Sequence, residues 1–399
     1  MILFETLSPL RRIRALPTLI AATALAAAAL CVSPPAAAQP SFDTSARNAV
    51  AIDADTGAVL LEKAADARIP PASMSKMMTV FMAFEAIAQG RLSLDEEAPV
   101  SEAAYQKEGS TMFLNLTDRP TIGQLLRGII VQSGNDASIV MAEALAGTEE
   151  AFAARMTKRA REIGMRTASF KNATGLPDPE HLMSVRDLAI LAQRIINDHP
   201  ELYKIYSERS FEWAGVAQNN RNPLLYLDIG GDGMKTGHTE EAGYGIVGSA
   251  VRDGRRVIVV LAGLPSQQRR AREIESAISW AFREFRNVTV ASKGEVVGQA
   301  EVWVGSASTV DLALAEDLRV TLPWFDAEQT EARIRYDGPV PAPIKKGDQL
   351  GTLTVQVPGL GATETALVAA SDVEAGGYLS RLQGGVGIGL RWLADQLWK

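Results

Sequence analysis

The chain has 399 residues, a formal net charge of −7 and 47 % hydrophobic residues. That is enough apolar material for one large domain and a smaller one, and a mildly acidic balance with no long basic tract argues against a nucleic-acid partner. A single cysteine, Cys31, excludes a disulfide framework. Three histidines without ligand-like spacing, His181, His199 and His238, argue against a metal centre, and no cofactor is implied.

Glu5, Arg11, Arg12 and Arg14 precede an Ala/Leu-rich run over 15–32, and Ala36-Ala37-Ala38 supplies a small-residue cleavage site. Residues 1–38 therefore read as a secretory signal peptide cut after Ala38, with an uncleaved membrane anchor as the alternative. Cys31 leaves with that segment, so the mature protein has no thiol and depends on its core for stability. Two short apolar runs, 49–52 and 58–61, flank the turn cluster Asp53-Ala54-Asp55-Thr56-Gly57 and predict a β-hairpin. Pro70 and Pro71 end an extended stretch, after which the apolar run 74–87 predicts a helix opening near Ser73. Positions i and i+3 of a helix share a face, so Ser73 and Lys76 can touch while Ser75 points elsewhere. A hydroxyl needs a base within hydrogen-bond reach to become a nucleophile, and the pair reads as an activated serine.

Thr121-Ile122-Gly123-Gln124 fits a capping box for a helix running to about Gln132. Ser133-Gly134-Asn135 interrupts it, and Asp136 is expected to cap the next helix, 137–145. Lys235-Thr236-Gly237 falls on a predicted edge strand, followed by strands 245–250 and 256–262 and a long helix over 270–286. Hairpin, helical cluster and returning strands form an α+β pattern with an antiparallel sheet, over 41–287. From 288 to 374 the texture changes to short alternating runs (300–304, 318–322, 332–336, 350–357, 366–369) separated by turn residues, which predicts a small all-β domain. In the tail, 376–399, Leu379, Leu382, Val386, Leu390, Leu393 and Leu397 make one helical stripe with Trp392 and Trp398 beside it. This amphipathic helix suits a membrane surface, or docking on the β-domain as the alternative.

An S-x-x-K tetrad alone arises by chance about once in a chain this long. Its joint occurrence with Ser133-Gly134-Asn135 and Lys235-Thr236-Gly237, in that order, does not. The set resembles the penicillin-binding proteins and serine β-lactamases. Gly109-Ser110, Met112-Phe113-Leu114, 132–137, Asn220-Arg221-Asn222, 232–239 and Ala242-Gly243-Tyr244 are most similar to the low-molecular-mass D-alanyl-D-alanine carboxypeptidases. The resemblance runs from about Ser41 to the C-terminus. It implies a β-lactamase/transpeptidase-like catalytic domain, a C-terminal β-sandwich, and removal of the terminal D-alanine from peptidoglycan stem pentapeptides, with β-lactams as inhibitors. It also implies a periplasmic enzyme held at the outer face of the inner membrane by the tail helix.

On that resemblance Ser73 is the acylation nucleophile, Lys76 its general base and Ser133 a proton relay. Asn135 holds the substrate's peptide carbonyl. The backbone N–H groups of Ser73 and His238 form the oxyanion hole, and Gly237 permits close approach of backbone to substrate. Lys235 is placed facing Ser73, where a second ammonium about 5 Å from Lys76 would supply roughly 3 kcal/mol at an effective dielectric of 20 toward keeping that base neutral. Thr236 and the forks of Arg221 and Arg272 are expected to meet the substrate carboxylate; for Arg272 a solvated helix face is the alternative. No E-x-x-L-N element surrounds 176–184, which counts against a β-lactamase, and Glu180 is read as a surface-loop residue. A D,D-endopeptidase and a catalytically idle wall-binding scaffold remain as rival readings. Two departures from the subfamily stand out: Pro223 in place of the usual Gly, and Thr174 in place of the usual His.

Overall fold

The structure is a computed structural model that describes residues 40–324 and 330–377. The expected signal peptide, with Cys31, and the expected tail helix lie outside the described residues. The chain divides into two compact units, one spanning Ser41–Arg286 and one beginning at Asn287.

In the first unit, β1 (Asn48–Asp53) and β2 (Val59–Lys63) pair antiparallel across the expected turn. The 3-10 turn Ala72–Ser75 leads into α1 (Lys76–Ala88), followed by α2 (Glu102–Tyr105), α3 (Ile122–Arg127), α4 (Asn135–Ala146), α5 (Glu149–Glu162), α6 (Val185–Asp198) and α7 (Pro200–Tyr203). The small hairpin of β3 (Ser210–Trp213) and β4 (Val216–Asn219) precedes β5 (Gly231–Gly233), β6 (Thr236–Thr239), β7 (Gly243–Arg252), β8 (Arg255–Leu264) and α8 (Gln267–Glu284). The main sheet has the order β2-β1-β8-β7-β5, with β6 also pairing β7. β8 is covered on both faces, because consecutive residues Val257–Leu261 are fully buried. Strand alternation divides them: Ile258, Val260 and Ala262 join the helical core, whereas Val257, Val259 and Leu261 point to the opposite face, over which α8 packs.

α1 is apolar on nearly every side and runs through the middle of the helical cluster, with Met77, Met78, Phe81 and Phe84 at 0 % exposure. Its one mid-helix hydroxyl, Thr79, is satisfied by the Ala173 carbonyl at 2.8 Å. This buried rod is what fixes the position of Lys76 at its first turn.

The second unit is all-β among its described residues, with β9 (Phe285–Ala291), β10 (Val296–Trp303), β11 (Thr309–Leu314), β12 (Leu318–Pro323), β13 (Glu331–Tyr336), β14 (Val340–Pro341), β15 (Gln349–Val357) and β16 (Gly361–Ala369). Six strands form a sheet in the order β13-β15-β16-β11-β10-β14, and β9 pairs β12. The sequence reading missed β9, β11 and the two-residue β14. It carried the preceding helix to Arg286, but α8 stops at Glu284 because Phe285 takes an extended conformation and opens β9.

Candidate active site

Ser73 sits in the 3-10 turn and Lys76 opens α1, so their side chains meet one turn apart, with Ser73 Oγ 2.9 Å from Lys76 Nζ. The Lys76 side chain is completely buried. Its Nζ also donates to Asn135 Oδ1 at 2.8 Å and to the Thr174 carbonyl at 2.6 Å. Those two oxygens can only accept, so they claim two N–H bonds of the lysine. In the neutral amine the remaining tetrahedral position, the lone pair, then faces Ser73 and can take its proton. In the ammonium form that position carries a third N–H and blocks the transfer.

Burial is the first cause that lowers the Lys76 pKa, to about 7, and the Arg221 guanidinium adds to it; Asp136 and Glu149 oppose. This reverses the order expected from sequence, in which a second ammonium came first. Lys235 does lie in the same cleft: its Nζ donates to Ser133 Oγ at 3.0 Å and to the Thr236 carbonyl at 3.1 Å. Burial pushes Lys235 well below the usual lysine range, and the charges of Lys76, Arg221 and Arg270 push it further.

Ser133 is delivered by an unusual backbone. The capping box at Thr121 and Gln124 starts α3 as expected, but the helix widens into a π-turn over Gly128–Gln132 and stops at Ser133, which is left-handed at φ 62°. Asp136 is not the N-cap of the following helix, a position taken by Gly134. α4 begins at Asn135, inside which the Asp136 carboxylate accepts from Ala137 N–H at 2.8 Å, and it also accepts from Met112 N–H, Leu114 N–H and the Thr111 hydroxyl, so it anchors the 111–114 turn. Asn135 has a role beyond the one expected from sequence. Its oxygen holds Lys76 and one N–H of its amide donates to the Glu108 carbonyl at 2.8 Å, so it braces Lys76 and has a second N–H beyond that bond.

β6 runs beside the 3-10 turn. A Cβ on Gly237 would lie 3.0 Å from the Pro71 carbonyl and 3.1 Å from Met74 N, so only glycine lets the strand come this near Ser73. His238 is exposed and stacks on Tyr244 with ring centroids 3.9 Å apart. Thr236 is buried. Arg221 donates to Ser110 Oγ at 2.7 Å.

Arg272 is exposed on α8. The α8 arginine on the cleft side is Arg270, 5 % exposed, 5.8 Å above the Tyr244 ring and 3.5 Å from the Arg221 carbonyl. Burial brings its pKa down to about 10 and its Nε has no partner among the described residues. Two arginines two residues apart on a helix look alike in sequence; only packing separates the buried one. The Thr174 carbonyl was missed for a related reason. Asn172 and Gly175 announce a turn, and Asn172 Oδ1 does accept from Thr174 N and Gly175 N, but the direction of one carbonyl is not written in residue types.

Comparison with known proteins decides the assignment. Residues 34–266 match the family model described as D-alanyl-D-alanine carboxypeptidase, and 285–375 match that of the penicillin-binding protein 5 C-terminal domain.

The chain belongs to the D-alanyl-D-alanine carboxypeptidase family.

It is 35 % identical to D-alanyl-D-alanine carboxypeptidase DacA of Haemophilus influenzae over 85 % of this chain and 88 % of that one. Its identity to DacC of Escherichia coli is 34 % over 86 % and 87 %. The crystal structure of penicillin binding protein 5 from Haemophilus influenzae superposes with a TM-score of 0.77 at 34 % identity, covering 84 % of this chain and 99 % of that chain. Penicillin-binding protein D2 of Listeria monocytogenes, solved in its ampicillin-bound form, matches at TM-score 0.56 and 29 % identity over 61 % of this chain and all of that one. The carboxypeptidase family is thus represented here by a serine hydrolase with both of its domains.

Within the family the two departures are absorbed locally. Pro223 opens a 3-10 turn whose N-cap, Asn222, accepts from Leu224 N at 3.1 Å, a position where proline has no N–H to lose. Thr174 keeps the backbone carbonyl that Lys76 uses. Glu180 is exposed and pairs with Lys171, so it does not enter the site.

Proposed function

We propose that this serine carboxypeptidase trims the terminal D-alanine from peptidoglycan stem pentapeptides through an ester on Ser73. The observation that carries the mechanism is the arrangement at Lys76 Nζ, where two obligate acceptors leave the lone pair facing the Ser73 hydroxyl. As Ser73 Oγ attacks the penultimate carbonyl, Lys76 takes its proton. The developing oxyanion meets the backbone N–H groups of Ser73 and His238. Ser133, hydrogen-bonded to Lys235, relays that proton to the departing amine of D-alanine, giving up its own hydroxyl proton and taking one from the Lys76 ammonium, so that Lys76 is neutral once more. Water then hydrolyses the ester, with Lys76 again as base. The free carboxylate of the substrate meets Thr236 and the positive field of Arg221 and Arg270. Penicillins, acting as β-lactam mimics of the dipeptide, acylate Ser73.

The test is mass spectrometry of the protein after exposure to penicillin, alongside D-alanine release from a pentapeptide ending in a free carboxylate. One covalent penicilloyl adduct on Ser73, its absence in Ser73→Ala, and penicillin-sensitive D-alanine release are expected. An unmodified Ser73 in active protein would overturn the reading.

The leader over 1–38 and the amphipathic stripe over 376–399 support a periplasmic enzyme attached to the outer face of the inner membrane. Flotation with anionic vesicles checks this: the full mature chain should float and a chain ending at 375 should not. Equal flotation of both would remove the tail from the account.

A further inference from the structure

The base is only as well placed as the Thr174 carbonyl that receives its shortest hydrogen bond, and that carbonyl belongs to a loop. Consecutive peptide groups of this loop are tied on different sides. The Ala173 carbonyl accepts from Thr79 on α1 at 2.8 Å, and the Thr174 carbonyl accepts from Lys76 one turn earlier on the same helix. The N–H groups of Thr174 and Gly175 are held within the loop by Asn172. The Ala173 N–H reaches another helix, donating to Glu149 Oε1 at 2.9 Å, and three residues earlier the Phe170 N–H donates to Thr157 Oγ1 of the same helix at 2.9 Å. Glu149 is the first residue of α5 and is half-buried, and its carboxylate at a helix N-terminus is held favourably by the dipole. The loop is therefore suspended between α1 and α5, with Glu149 as the α5 tether nearest the Thr174 carbonyl.

We propose that Glu149 is a positioning residue for acylation: by holding Ala173 it sets where the Thr174 carbonyl meets Lys76, and hence where the amine's lone pair points. Loss of the tether frees the loop to move away from α1. Lys76 then trades a fixed acceptor for a mobile one, and its lone pair no longer has a single direction. The carboxylate also acts through space. The charged and titrating groups around Lys76 are Asp136 at the start of α4, Glu149 on α5, Arg221 in the segment after β4 and Lys235 before β6; His181, in the loop that follows 172–176, has its pKa lowered to about 4 by burial and stays neutral from pH 5 to 9. Glu149 is one of two anions in that set, so removing its charge favours the neutral amine.

The inference rests on Ser73 being the acylated residue, and the experiment keeps the two apart. Pre-steady-state acylation by a chromogenic cephalosporin is followed between pH 5 and 9 for wild type, Glu149→Gln and Glu149→Ala, with active sites counted by the final acyl-enzyme burst. Glu149→Gln keeps an acceptor oxygen for Ala173 and is expected to acylate within about threefold of wild type, with its acidic limb at lower pH. Glu149→Ala loses acceptor and charge together and is expected to acylate about tenfold slower or worse per active site, in line with the cost of small misplacements at a reacting centre. A merely structural glutamate would lower the melting temperature and leave both the rate per active site and the limb unchanged, which would overturn the proposal. Should Glu149→Ala not fold, an unshifted limb in Glu149→Gln overturns it equally. Absence of acylation in the wild type would instead sink the functional reading and leave nothing to position.

Discussion

Lys76→Met should slow acylation of Ser73 by about 10²- to 10⁴-fold, the range set by loss of a positioned general base. Methionine fills nearly the same buried space without a titrating group, so the comparison isolates proton transfer better than alanine would. It leaves Asn135 Oδ1 and the Thr174 carbonyl without their donor, at about 1–3 kcal/mol each, while removing the cost of burying an ammonium. The net effect on stability is therefore small beside the effect on rate. The pH profile supplies the sign. Burial lowers Lys76 from 10.5 to about 7, so the competent neutral amine is scarce at pH 5 and dominant at pH 8.5. Wild-type acylation should rise through a limb near 7, and the residual rate of Lys76→Met should lack that limb. The same shift links to folding: the penalty for burying the ammonium is fully present below pH 7 and is relieved between 7 and 10.5, where the unfolded chain still holds the proton. Stopped-flow acylation with a chromogenic β-lactam measures both. A wild-type rate independent of pH from 5 to 9 would remove Lys76 from the role of base.

The hairpin of β1 and β2, the capping box at Thr121, the strands around β7 and β8 and the all-β character of the second unit were legible because each depends on local pattern. Period-2 runs, turn residues and side-chain caps act over a few positions. The contact between Ser73 and Lys76 was legible for the same reason, since i and i+3 meet on any helical turn. What surrounds them was not. Asp136 satisfies the local rule for an N-cap, yet a turn 22 to 25 residues upstream claims its carboxylate. Arg270 and Arg272 share composition and helix, and only the packing of α8 against the sheet buries the first. The depression of the base follows from complete enclosure of Lys76, a property of the whole helical cluster that no spacing of charges conveys. Local pattern brings Ser73 and Lys76 together; long-range packing lowers the lysine's pKa and supplies its supports.

Asp136→Ala should be the most destabilising single polar substitution among the described residues of the first unit, by about 3–5 kcal/mol. Asp136 is 2 % exposed, and its carboxylate receives Met112 N–H at 2.9 Å, Leu114 N–H at 3.1 Å and the Thr111 hydroxyl at 2.7 Å. Met112 and Leu114 are themselves buried, so two backbone donors would be left without an acceptor, at about 1–3 kcal/mol each, and the bonds lost are charge-assisted. The damage also reaches the site. The turn that Asp136 anchors carries Ser110, whose carbonyl accepts from Asn135 N at 2.7 Å and whose hydroxyl accepts from Arg221. Loosening it frees the residue that braces Lys76 and the arginine that helps to lower its pKa. Asp136→Asn separates the two effects. It keeps one acceptor oxygen, so its stability loss should be the smaller, yet it removes an anion that favours the Lys76 ammonium and should move the acylation limb to lower pH. Urea denaturation of the three proteins, read with the acylation profile, tests this directly. A midpoint for Asp136→Ala equal to that of wild type would mean that the 111–114 turn is held by its apolar contacts alone, and that the carboxylate serves only the electrostatics of the base.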